Sequence, residues 1–231
     1  MNDYFGLGNI RLYTNCPLFR SLAKNDEYYS TFVNRGLVRT AKRGEYDKIA
    51  DEIYFRLLHF FSLEKSIQAT YEQIKASWEN HFVVGMQIRV GIGNGNFADN
   101  CKFLFASDVQ TFIHYAQYYT NRTTLKPIWF VSTDSPDVEM LFKQQYADRV
   151  FTLDSFPMKH TKTLAYAYGD PAVKRAILDN YLLSQSDLLL TTNWSSFGEM
   201  AMGRMEKGNT IVITRSDPIV HPPPLVTFNR T

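Results

Sequence analysis

The chain has 231 residues, 45% hydrophobic and 21% charged, the balance of an ordinary globular protein with room for one or two domains. Its net charge of +2, from 25 basic and 23 acidic residues, is too small to argue for a nucleic-acid partner. Cys16 and Cys101 stand alone, without the CxxC or paired histidines of a zinc site, and no apolar run is long enough to span a membrane.

Taken in chain order, residues 1 to about 42 have weak periodicity, and the Tyr28 to Val38 region holds one short helix or strand. From Tyr46 to about Trp78 the pattern is helical: Ile49, Ile53, Leu57 and Phe60 recur at spacings of three and four, and Ile67, Tyr71, Ile74 and Trp78 continue the stripe. The period then switches. Phe82 to Val90, FVVGMQIRV, reads as a strand buried on both faces, and GIGNGN follows as a loop. Ser107 caps a helix to about Tyr119. Pro127 to Ser132 is a second strand, and the helix after Asp134-Ser135-Pro136 runs to about Tyr146 with Pro in its first turn. Arg149 to Leu153 is a third strand. A loop leads to a helix over Ala172 to Ser184. Asp187 to Thr192 is a fourth strand, Ser196 to Arg204 a helix, and Thr210 to Thr214 a fifth strand. From Asp217 the tail is proline-rich and extended.

Strands alternating with helices imply βαβ units and a parallel sheet, the α/β class. Such sheets bind ligands at the carboxyl ends of their strands, where GIGNGN, STDS and NWSSF all fall. The strand, Ser-Ser turn and helix around Ser195 and Ser196 form a candidate anion corner, because a helix start offers unpaired N–H groups and the positive end of its dipole. The same hydroxyls equally suit plain N-caps. Arg89, near the end of the first strand, can fork onto phosphate oxygens or pair with a carboxylate. Gly91, Gly93 and Gly95 match neither a dinucleotide fingerprint nor a Walker loop. Asp134 can touch a ligand or cap the helix behind it. Asp179 can face solvent or accept the two N–H donors of a guanine edge. Trp194 and Phe197 suit a core as well as a site. The five histidines are scattered and no GxSxG elbow occurs, so a hydrolase triad is unsupported. No Asp-x-Asp pair follows a strand, so a metal-bridged diphosphate is not indicated.

Three segments in order resemble the fucosyltransferase superfamily that uses GDP-fucose, with its α1,2, α1,6 and protein O-fucosyltransferase branches. GMQIRVG, with Gln87-Ile88-Arg89, resembles the first motif. IWFVSTDSP resembles the second, and DNYLLSQSDLLLTTNWSSFGEMAMG the third. The ending WSSFGEMAMG is most similar to the plant xyloglucan α1,2 type, and His221-Pro222-Pro223-Pro224 faintly echoes its C-terminal HxPP. The likeness spans about residues 80 to 224. It implies a GT-B-like glycosyltransferase whose Rossmann-like half, residues 81–231, binds the nucleotide sugar, preceded by a short, mainly helical acceptor-side region at 1–80. It further implies an inverting, metal-independent transfer of fucose from GDP-β-L-fucose to a glycan acceptor, with α1,2 linkage on galactose as the expectation. No cofactor is implied beyond the donor substrate. Arg89 would be the catalytic group at the diphosphate. The GDP-fucose contacts would come from Gln87, Arg89, Gly91, Asn94, Asp134, Asp179, Trp194, Ser195, Ser196 and Phe197, and no residue would ligate a metal.

Gln87 stands where several branches carry histidine. The acceptor-side region is short, so the expectation is a truncated first half, and with it a missing membrane anchor. MNDYFGLGNI lacks the basic and apolar segments of a signal peptide, so Golgi or secretory placement follows from the resemblance alone. No direct membrane contact and no nucleic acid are expected, and oligomeric state is unspecified. The alternatives are a GDP-sugar-binding module without turnover and another nucleotide-sugar α/β enzyme.

Overall fold

The computed structural model describes residues 21–59, 62–91, 102–158, 170–221, 223 and 225–229, the last four by backbone alone. The chain divides into two compact units, Met1–Phe60 and Phe61–Thr231. In the first, α1 (Asp26–Asn34) and α2 (Tyr46–His59) pack around Ala23, Val38, Ala41, Ile49 and Ile53. The Glu52 carboxylate gathers the backbone N–H groups of Arg39, Thr40 and Ala41 and so fixes the connection between the helices. The helical stripe expected to run from Tyr46 to Trp78 is thus two helices. The second, α3 (Lys65–Ser77), starts after extended backbone at Glu64 and packs its Ile67 and Tyr71 in the core of the second unit.

That second unit is a six-stranded sheet in the order β3-β2-β1-β4-β5-β6. The strands are β1 (His81–Ile88), β2 (Lys126–Thr133), β3 (Val150–Phe151), β4 (Leu188–Thr192), β5 (Lys207–Ile213) and β6 (Val226–Asn229). The first five are parallel, and β6 pairs antiparallel with β5. Alternation assigns the faces. Val84, Met86 and Ile88 of β1 join Leu188 and Leu190 of β4 under α4 (Val109–Thr120) and α5 (Pro136–Gln145). Val83, Phe130 and Leu189 meet α3, α6 (Pro171–Leu183) and α7 (Ser196–Arg204) on the other face. Chain order reverses between β1 and β4, so the crevice beyond their carboxyl ends is the switch point at which open α/β sheets bind ligands.

Local chemistry relocates two expected caps. A 3-10 turn at Ala106–Asp108 precedes α4, and it is the Asp108 carboxylate, not Ser107, that accepts the Phe105 N–H at 2.6 Å. Helix α5 is capped by Ser135, whose hydroxyl accepts from Val138 N at 3.4 Å; Asp134 is committed elsewhere. The third strand shrinks to two residues, and the extended tail supplies β6, which its prolines concealed.

Candidate active site at the β1/β4 crevice

At the end of β1 the backbone is held by Asp134, which projects from the end of β2. Its Oδ1 accepts Val90 N at 2.8 Å and its Oδ2 accepts Gly91 N at 3.0 Å. Arg89 Nε lies 3.3 Å from the same Oδ2. Burial pushes the Asp134 carboxyl up from its ordinary value, against the pull of these three donors. Gly91 has φ +85, which lets the chain turn sharply enough to offer its N–H to Asp134. Asp134 therefore acts as a clamp on the loop root and sets the direction of Arg89, whose side chain is 21% exposed and 5.8 Å from the Phe103 ring. The carboxylate pairing read as one option for Arg89 is present, and it orients the guanidinium at the crevice. Asn94 lies outside the described residues.

Gln87 faces inward. Its Oε1 accepts from Thr191 Oγ1 at 3.0 Å and from Thr192 N at 3.2 Å, crosslinking β1 to β4. Thr192 Oγ1 in turn accepts Arg89 N at 2.9 Å and donates to Gln87 O at 3.1 Å. The carbonyl of Thr192 accepts Ser195 N at 3.3 Å. One residue thus joins the arginine strand to the serine turn, which puts both on the same edge.

Ser195 is the buried N-cap of α7, with its hydroxyl toward Gly198 N at 3.4 Å, while Ser196 is exposed in the first turn. The N–H groups of Ser196 and Phe197 have no intrahelical acceptor. Glu199 shares that turn and offsets part of the positive helix end. Phe197 packs half-buried on the core, and its carbonyl accepts Asn180 Nδ2 at 2.8 Å. Trp194 is 80% exposed and adopts φ +61. Gly198 sits against the sheet so closely that a Cβ there would fall 1.9 Å from Thr191 Oγ1 and 2.8 Å from Gln87 Oε1. The helix start is seated on the strand ends because residue 198 has no side chain.

Asp179 is buried on α6 rather than solvated. Its Oδ2 accepts the Ser132 hydroxyl at 2.9 Å and lies 3.7 Å from Arg175 Nε, while no described group bonds its Oδ1. Burial drives its pKa to about 7, with Arg175 and Ser132 pulling the other way. Arg175 is shared with Glu139 at 2.6 Å and with the Phe156 carbonyl at 3.0 Å. Glu139 and Arg175 also line a cavity of ≈ 420 Å³ between α5 and α6. Among the described residues no group of three or more His, Cys, Asp or Glu is placed to hold a metal ion.

No protein-family profile and no characterised protein sequence matches this chain. Its fold, however, has counterparts among solved structures. NodZ α1,6-fucosyltransferase co-crystallised with GDP superposes with a TM-score of 0.50 at 15% identity, over 79% of this chain and 52% of that one. Fucosyltransferase NodZ from Bradyrhizobium gives 0.47 at 14%, over 71% and 49%. A variant of Arabidopsis thaliana FUT1 in complex with GDP gives 0.48 at 15%, over 78% and 42%. The chain thus spans about half the length of the first two. At this identity the first likeness shows the fold alone, the expected GT-B-like α/β parallel sheet.

Thr191, Thr192, Gly198 and Asn180 were missing from the residues expected at the site. The paired threonines closing an otherwise apolar strand were the available signal, since hydroxyls buried at a strand end need partners. The glycine in the first turn of α7 was a second signal, because a helix interior otherwise disfavours it.

Proposed function

We propose that this chain forms the nucleotide-sugar side of an inverting glycosyltransferase that moves fucose from GDP-β-L-fucose to a glycan hydroxyl, with galactose O2 as the acceptor position. The observation that supports the reading is the Thr192 bridge, which ties the Arg89 backbone to the turn that opens α7, at the switch point of the sheet. A leaving diphosphate gains negative charge as the glycosidic bond breaks. A guanidinium and fixed N–H donors stabilise that charge without reorganising, which is the dominant contribution in many active sites. The Asp134 clamp keeps Arg89 in place before substrate arrives, and the Ser196 hydroxyl adds an exposed donor. In this reading Asp179, behind Ser132, accepts the guanine N–H edge through Oδ1, a buried atom without a described partner that the arriving base must uncover. The half-reaction needs no metal in this reading. The motif order supports a fucosyl donor, and secretory placement accompanies it. Among the described residues no helix is long and apolar enough to cross a membrane.

The test is calorimetry with GDP, GDP-fucose, UDP and ADP, followed by transfer of labelled fucose to galactose-ended glycans in the presence of chelator. Binding of GDP and GDP-fucose in preference to the other two, with transfer lost in Arg89→Ala while its fold persists, is the expected result. Equal affinity for UDP or ADP refutes the donor assignment. GDP binding without transfer assigns the chain as a binding module.

A further inference from the structure

Of the three tryptophans, Trp78 and Trp129 are buried at 6% and 0% exposure, and Trp194 stands 80% exposed. A lone exposed apolar side chain needs no explanation. Trp194 also has φ +61, however, a conformation in which a bulky residue is a true outlier and which glycine would occupy without strain. The flanking chain enforces it. Asn193 N donates to Ile213 O at 2.9 Å, Asn193 Nδ2 donates to Thr214 Oγ1 at 3.1 Å, and Asn193 Oδ1 accepts Trp194 N at 2.9 Å. The fold fixes the backbone that carries this exposed ring, one residue before the α7 N-cap. Strain of this kind persists where surroundings over-determine it, and it concentrates at ligand sites.

Strand order gives the ring a side. Ser132, the partner of Asp179, is on β2, on one flank of the β1/β4 crevice. Asn193 is tied to Ile213 and Thr214, at the end of β5, on the other flank. In the proposed reading the base lies toward β2 and the diphosphate at the crevice, so the donor sugar and the incoming hydroxyl lie toward β5. We infer that Trp194, expected by resemblance among the donor contacts, serves the acceptor instead, as the platform on which a sugar ring of the acceptor glycan stacks. A pyranose has one face of C–H groups and a rim of hydroxyls. The electron-rich indole face attracts the former and leaves the latter in water.

This inference rests on the proposed function for its orientation, but its test does not depend on catalysis. The exposed indole emits at the red edge of the fluorescence spectrum, and the two buried indoles emit to the blue. Lactose, titrated to about 50 mM because a single stacking contact binds weakly, should shift the red-edge emission in the wild type and leave Trp194→Phe spectrally unchanged. In transfer assays Trp194→Ala should raise the acceptor KM about tenfold, as expected for an aromatic hot spot, while the Kd for GDP stays within about twofold. Trp194→Phe should recover part of the loss. A lactose-independent spectrum overturns the platform. So does a GDP affinity that falls about tenfold in Trp194→Ala, which would make the ring a base-stacking residue instead. If GDP binds neither protein, the donor reading fails, and the lactose titration still decides the role of Trp194.

Discussion

Replacing Gly198 with alanine places a methyl carbon 1.9 Å from Thr191 Oγ1, 2.8 Å from Gln87 Oε1 and 3.2 Å from Thr191 Cβ. Close-packed interiors do not absorb an overlap of that size, and the start of α7 must withdraw by roughly 1.5 Å to restore contact distances. Rotation of Thr191 is no escape, because that hydroxyl donates to Gln87 at 3.0 Å and the residue is buried. Overpacking costs about 1–3 kcal/mol, and the helix-propensity gain of alanine over glycine returns up to about 1 kcal/mol. With the full propensity gain the expected net loss is about 0–2 kcal/mol, a fall in Tm of up to roughly 8 °C for a chain of this size. The effect on ligand is larger in consequence. The N–H groups of Ser196 and Phe197 move with the helix start and away from Arg89. Losing one charge-assisted hydrogen bond weakens GDP by about tenfold or more. Thermal melts and calorimetry read the two effects, and Thr191→Ala in the Gly198→Ala background should restore part of both as a positive coupling in a double-mutant cycle. If Gly198→Ala melts at or above the wild-type temperature and binds GDP unchanged, the tight seating of α7 is not what forms the anion corner.

Asp134→Asn presents an amide to two N–H donors, so one of the bonds from Val90 or Gly91 is lost and the charge pairing with Arg89 is weakened. Stability should fall by about 1–3 kcal/mol, read by denaturant melts, and GDP affinity should fall with it as the loop root loosens. Unchanged stability would show that the clamp is dispensable. Asp179 keeps its proton in the folded chain up to about pH 7, whereas in the unfolded chain it ionises in the ordinary carboxylate range. The folded state therefore binds more protons between about pH 4 and 7, and stability declines as pH rises through that window. Asp134, also raised, contributes in the same direction. Melting temperature against pH should show this slope in the wild type and a flatter one in Asp179→Asn; parallel profiles would refute the assignment.

Much of the sheet was legible because its signals are local. β1 and β4 are near-continuous apolar runs, and α7 begins at Ser196, where a serine cap precedes it. The order of the strands was not legible, since it depends on pairing between residues about a hundred apart, such as Gln87 with Thr191. Asp134 illustrates the same gap: its neighbours Ser135 and Pro136 suggested a cap, and only the fold brings Val90 and Gly91 within its reach. Asp179 sits on an ordinary helical stripe, and nothing in that stripe shows that Arg175 and Ser132 would enclose it. Arg89 and the serine turn were identifiable as separate candidates for binding an anion, but the hydroxyl of Thr192 that ties their backbones together was not.

The antiparallel pairing of β6 onto β5 has a consequence for how the protein is made and kept intact. Until residues 226–229 dock, β5 presents a row of bare N–H and C=O groups beside the exposed Val212, a template for joining another chain edge to edge. The strand that seals the sheet is made after the other five, so the nascent chain carries an aggregation-prone border until synthesis reaches it. Proteolytic clipping anywhere in the proline-rich approach to Val226 would reopen that border without touching a single residue of the crevice.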